Sequence, residues 1–350
     1  MSDNILESLQ HPIQQASGSF AIFINTLLLY LITYHSPKTL GAYRYLMMYI
    51  SVFEILYAII DLIAAPVLYS KDSALLAILD SSRSGIPIQI LFALNVIFCG
   101  SFGTSMAIFG THFVFRYLVI KGNKELTDSD TLTILVWLLI PVGYGVVWSM
   151  ICMTTLFPTS QTDEFLRNTY LQKFPGRVED LTYFGPFFYP NQQLDWNPCL
   201  GIAGCSAIMA VQSISSLTMI YCGFKSYNRI NNLVHTSSQS NRHRKLQNQF
   251  LSALIVETLV PVILMHVPAA VAYSACLLDS SNEVIGNVLT ISIALYPALD
   301  PLPTIFIISS YRDACLRFIG HLGNRVNCIK SFIGRVTEPT DTEETEMEVL

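Results

Sequence analysis

Seven apolar runs, each long enough to cross a bilayer, limit what this chain can fold into. They fall at 13–34, 45–68, 86–115, 132–157, 200–224, 250–278 and 284–309. A hydrocarbon core of about 30 Å takes about 20 helical residues, and every run meets that length. The runs are unbroken and lack the short apolar–polar alternation of barrel strands, so helices are expected. Only 13% of the 350 residues are charged, against about 25% in a globular average. All 20 Lys and Arg lie outside the runs. The expected fold is an all-α membrane protein, a seven-transmembrane-helix bundle occupying 13–309. No internal repeat is visible, and an odd helix count speaks against a transporter of two equal halves.

Orientation follows from the basic residues. Fifteen of the 20 lie in the first, third and fifth loops and the tail, and basic loops stay inside. The N-terminus is therefore expected outside and the C-terminus inside. Residues 1–12 carry Asp3 and Glu7 but no Lys or Arg, so they lack the basic start of a cleavable signal peptide and are expected to be an extracellular segment. The fifth loop, 225–249, ends in Arg242, Arg244 and Lys245, a candidate contact for acidic lipid or a cytoplasmic partner. Residues 310–333 are amphipathic enough to lie along the membrane surface, with Cys315 and Cys328 as candidate lipidation sites. The acidic, threonine-rich 334–350 reads as a disordered cytoplasmic tail. The eight cysteines show no CxxC pair or zinc spacing. No metal, cofactor or nucleic-acid partner is called for, and the oligomeric state is left open.

Within the runs, ionisable residues are costly and are functional candidates by default. The second run holds Glu54 and Asp61, the third holds His112 with Arg116 just past its end, the sixth holds Glu257, Pro261, His266 and Pro268, and the seventh holds Asp300-Pro301 between Pro297 and Pro303. At 1.5 Å per residue, Glu54, Glu257 and Asp300 share one depth, with His112 just below. They are expected to form a polar lock that holds the Arg116 guanidinium. On that expectation Glu257→Gln changes basal signalling. Each residue also has a bland reading as a satisfied interior group. In the outer half, Gln89, Asn95, Cys99, His266 and Tyr273 are ligand-contact candidates by depth and polarity. No acid lies between 86 and 102, so a neutral ligand is expected rather than a cationic amine. No nucleotide-binding or hydrolase motif occurs, so the chain is not expected to be an enzyme.

Several stretches together resemble the nematode serpentine chemoreceptors of the Str class, a class that includes an olfactory receptor for diacetyl; the Srj class is close. They are Ser-Val-Phe-Glu-Ile-Leu-Tyr-Ala-Ile-Ile-Asp at 51–61, Ala-Ile-Phe-Gly-Thr-His-Phe-Val-Phe-Arg-Tyr-Leu at 107–118, Leu-Ser-Ala-Leu-Ile-Val-Glu-Thr-Leu-Val-Pro at 251–261, and Tyr-Pro-Ala-Leu-Asp-Pro-Leu-Pro-Thr at 296–304. The resemblance implies a G-protein-coupled receptor on the cilia of chemosensory neurons, with an odorant and a heterotrimeric G protein as partners. It places Arg116 where better-known receptors carry the arginine of Asp-Arg-Tyr, and Asp300-Pro301 at the start of their seventh-helix motif. Departures are the missing acid before Arg116, Thr304 in place of a tyrosine, and no cysteine at the outer start of the third helix. The competing reading is a channel or transporter using Glu54, Asp61, Glu257 and Asp300 as an ion path. A path needs polar groups at successive depths, and three of these four share one.

Overall fold

With no water to bond to, backbone groups in a bilayer core must pair within their own segment, and the runs resolve accordingly. The computed structural model describes residues 2–37, 40–122, 131–190, 196–236 and 241–318. Its spanning helices are α1 (Ser2–His35), α2 (Tyr43–Ala64), α3 (Ile88–Lys121), α4 (Thr131–Thr155), α5 (Trp196–Thr236), α6 and α7. α6 is built of three pieces: Asn241–Pro261, a π-turn at Val262–His266, and Val267–Leu277. α7 is built of two, Glu283–Leu299 and Pro301–Ile307, joined at Asp300. A further helix, 309–318, follows a bend at Ile308. Side chains such as Leu135, Val136 and Leu139 on α4 and Ile214, Leu217 and Ile220 on α5 are exposed. Apolar faces of that extent belong against lipid. Burial is deepest in α3 and α7, and slight in α4 and α5 (17% and 22% of their apolar windows). The first pair is central and the second peripheral.

The helices outrun their apolar cores. α1 begins well before residue 13 and continues through Pro12. α5 reaches Thr236 and α6 starts at Asn241, so Arg242, Arg244 and Lys245 sit on a helix rather than in the expected loop. A polar helix end needs water, not lipid, and nothing in its composition forbids the turn. Lys245 is exposed; the side chains of Arg242 and Arg244, Cys328, and the 334–350 tail lie outside the described residues. α2 corrects the second run in the other direction. It stops at Ala64, where Ala65 turns left-handed (φ 44°) and donates its N–H to the Asp61 carbonyl. Pro66 follows, two residues past the helix end, and stops it.

Beyond α2 the chain adds to the helical bundle a small antiparallel sheet, order β1-β2-β3: β1 (Val67–Lys71), β2 (Ala74–Asp80) and β3 (Leu181–Phe184). β1 and β2 form a hairpin over Asp72-Ser73, with Asp72 at φ 52°, a conformation aspartate tolerates. Strand side chains alternate between faces. Tyr69, Leu76, Ile78 and Tyr183 therefore pack with Leu166, Tyr170 and Val178 into a satellite core beyond the bundle. Tyr183 donates to Asp163 at 2.7 Å; burial and that carboxylate push its phenol well above the usual tyrosine range. Leu68, Leu75, Ala77 and Phe184 face the other way, into the bundle. Gly185 ends β3 against the Leu75 carbonyl, where a Cβ would collide with backbone.

Candidate functional site

Two places combine buried polar groups with room or leverage. The first is a cavity of about 250 Å³ roofed by the inward face of the sheet. Its walls are Phe98, Cys99 and Phe102 from α3, Trp148 and Cys152 from α4, Cys205, Ile208, Met209 and Gln212 from α5, His266, Ala269, Ala270 and Tyr273 from α6, and Leu289 and Ile293 from α7. The lining is almost wholly apolar. Two exceptions matter: the Gln212 amide nitrogen and His266 Nε2 are buried without a hydrogen-bond partner. Buried polar atoms in native proteins are nearly all paired, so both suit a ligand that brings the missing partner. His266 is held edge-on against Phe102, 4.8 Å between ring centres.

Of the five residues chosen by depth, Cys99, His266 and Tyr273 line this cavity. Asn95 does not. Its amide donates to the Ala77 and Thr182 carbonyls at 3.2 and 3.1 Å, so it fastens β2 and β3 to α3. Gln89 is exposed on the first turn of α3 and faces away. Gln212 was missed, although it is the one amide side chain in the run 200–224. A larger recess, about 450 Å³, lies beyond the sheet between α1 and α2. Its Glu283 is paired with Lys71 (3.9 Å) and Lys173, its Arg83 stacks on Phe174, and its Asp80 caps Ser82. With those charges engaged, the apolar cavity is the better candidate.

The second place is the polar layer nearer the tail end of the bundle. Glu54, Asp300, Glu257, His112 and Arg116 are all buried there, but they do not form one cluster. The Glu54 carboxyl faces Asp300, with Asn25 and Tyr296 beside it. Glu257 accepts a 2.6 Å hydrogen bond from the Thr304 hydroxyl, tying α6 to α7. Asp61, two turns toward the sheet, neighbours Gln14 instead. His112 Nε2 donates to the Leu46 carbonyl at 3.0 Å, and Tyr43 lies against its other nitrogen at 3.4 Å. Arg116 meets no carboxylate among the described residues. Its guanidinium lies over Tyr43 (4.9 Å) and Phe250 (5.5 Å) and donates to the Gln247 carbonyl at 3.1 Å. The expected grip of acids on Arg116 is thus replaced by an aromatic and carbonyl grip, because the acids are turned toward α7. Cys315 is half-buried on the neighbouring core.

Asn25 was also missed, and its role has a clear cause. Pro301 has no N–H to give the Pro297 carbonyl. Asn25 Nδ2 on α1 donates to that carbonyl at 2.9 Å, restoring the bond the helix lost. A proline four residues after a carbonyl in a membrane run was the available signal.

The family model for serpentine-type seven-transmembrane chemoreceptors, Str, matches residues 10–316. The chain is 31% identical over 316 residues to "G-protein coupled receptor str-217" of Caenorhabditis elegans, covering 89% of this chain and 90% of that one. It is 29% identical over 295 residues to "Serpentine receptor class r-10" of the same organism (83% and 85% covered). Squid rhodopsin has a similar fold, with TM-score 0.65 at 10% identity over 92% of this chain and 87% of that one.

Proposed function

Because the chain belongs to the Str family of serpentine seven-transmembrane chemoreceptors, we propose that its ligand is a small neutral odorant bound in the cavity beneath the sheet, and that its output is a heterotrimeric G protein at the tail end. The family is one of multi-pass membrane receptors, not enzymes. The observation that carries the reading is the course of α6. One end supplies His266, Ala269, Ala270 and Tyr273 to the cavity, and the other supplies Gln247 and Phe250 to Arg116. From Phe250 to His266 is about 24 Å at 1.5 Å per residue. A ligand that favours one arrangement of the π-turn therefore shifts the contact at Arg116. A ligand moves such an equilibrium only by its differential affinity for the two states.

The cavity is smaller than the roughly 300–1,000 Å³ of drug-sized sites, and its two orphan nitrogens, an amide donor and an imidazole nitrogen, suit a compact molecule with a single polar oxygen group. An odorant panel on cells expressing the chain, read by calcium or cAMP with and without a G protein, tests the assignment. Gln212→Leu and His266→Phe should each lower potency for a carbonyl or alcohol agonist about tenfold, the effect of roughly 1.4 kcal/mol for a buried hydrogen bond. Unchanged potency in both variants would place the ligand elsewhere. We further propose that the sheet end faces outward, from the basic-residue distribution, and that the receptor sits in the plasma membrane of chemosensory cilia, from its family. Tags at both ends, probed before and after permeabilisation, should label the N-terminal tag alone on intact cells. Labelling of the C-terminal tag there would reverse the orientation.

A further inference from the structure

The cavity has a firmly fastened roof and an incomplete side wall. The roof is tied to α3 through Asn95, to α7 through the bond from Leu68 N–H to Thr290 (2.9 Å), and to α6 through Cys276 on the Ala74 carbonyl (3.2 Å). Among the described residues, the side wall between α5 and the last piece of α6 is the more weakly closed. α5 packs along α3, α4 and the first piece of α6, whereas the last piece of α6 leans on α7 and the sheet. The cause is local: Pro261 and Pro268 bracket the π-turn Val262–His266. Insertions of this kind redirect a helix. At the sheet side of the gap, Tyr273 touches Cys205. Toward the bundle middle, cavity-lining Met209 (47% exposed) and Ala270 also face outward, on a surface that the spanning helices place in lipid.

We infer that this gap between α5 and α6 is the entry portal of the cavity, and that it admits neutral molecules which first dissolve in the bilayer. The inference rests on the cavity being the ligand site. A molecule arriving by this route passes Met209 and Ala270 and meets Gln212 and His266 on the inner side. Water-borne charged molecules face the fastened roof instead. The portal thus adds a selection by lipid solubility before any contact with the two polar atoms.

Three free thiols, Cys99, Cys152 and Cys205, line the cavity, so entry is measurable without knowing the agonist. The full-length receptor in lipid nanodiscs is treated with methyl methanethiosulfonate, neutral and lipid-soluble, or with a quaternary-ammonium methanethiosulfonate, which share one thiol chemistry and differ in charge, and labelling is followed by mass spectrometry. Exposed Cys199 reports reagent activity. The neutral reagent should label the cavity thiols at least tenfold faster than the charged one, normalised to Cys199. Ala270→Trp, which fills the gap, should slow the neutral reagent at least tenfold at those thiols and leave Cys199 unchanged. Val271→Trp, on the exposed face beside it, should slow nothing. Equal access for the charged reagent, no labelling of the cavity by either reagent, or indifference to Ala270→Trp overturns the portal. Because no agonist is used, those outcomes stand apart from a failed odorant panel, which bears on the ligand site.

Discussion

Asp300→Ala should remove most of the receptor from the cell surface, whereas Asp300→Asn should leave at least half of it there. Asp300 is 1% exposed and sits at the joint between the two pieces of α7. Across from it is the Glu54 carboxyl, whose Oε1 has no hydrogen-bond partner. Alanine leaves that carboxyl facing a void. Leaving a buried carboxyl oxygen without a partner costs about 1–3 kcal/mol and the void adds to it, a large share of the roughly 5–15 kcal/mol that holds a domain folded. Asparagine keeps the shape and supplies a donor, so most of the loss is avoided. Asn25→Ala falls between them. It strips one hydrogen bond from the Pro297 carbonyl, about 1–2 kcal/mol at a buried membrane site. Surface-tag staining and the thermal midpoint in detergent should rank the variants Asp300→Ala, Asn25→Ala, Asp300→Asn, from most to least damaged. Wild-type staining for Asp300→Ala would mean that the two carboxyls do not support each other.

The seven spans were legible because bilayer thickness imposes a length that composition reveals directly. Depth along each helix was legible too, since 1.5 Å per residue needs no contacts. Rotation about each helix was not. Gln89 and Asn95 pass the same depth and polarity test as Cys99, yet one faces outward and the other is spent on the sheet. Apolar residues cover the lipid face and the core face alike, so a membrane helix lacks the amphipathic stripe that marks orientation in water. The sheet escaped for a related reason. Ala74–Asp80 is buried on nearly its whole length, so it shows no alternation. Its first partner, Val67-Leu68, was absorbed into the preceding apolar run. The acids were placed at the right depth, but their partners were assigned by charge alone. Charge complementarity pointed them at Arg116; the Thr304 hydroxyl on the second piece of α7 and the facing Asp300 carboxyl at its joint claimed them instead.

That reassignment changes which substitution should release the receptor. Phe250→Leu is expected to raise basal signalling about 5–30-fold, while Glu257→Gln should stay within about twofold of wild type. The Arg116 guanidinium is held to α6 by the Phe250 ring and the Gln247 carbonyl, and to α2 by Tyr43. A desolvated cation–π contact is worth up to about 2 kcal/mol. Leucine keeps most of the apolar volume but has no ring face, so the state with α6 on Arg116 loses about 1–2 kcal/mol, a factor of 5–30 in population. A resting receptor with few active molecules has room for that increase. Tyr43→Phe keeps its ring and should change little, which separates the ring face from the hydroxyl. Glu257→Gln retains an oxygen to accept the Thr304 hydrogen bond, so the α6–α7 tie survives. The assay is ligand-free cAMP or calcium output normalised to surface-tag staining, with all three variants at matched expression. High basal output from Glu257→Gln beside a silent Phe250→Leu would return the restraint to the carboxylates, as charge alone suggests.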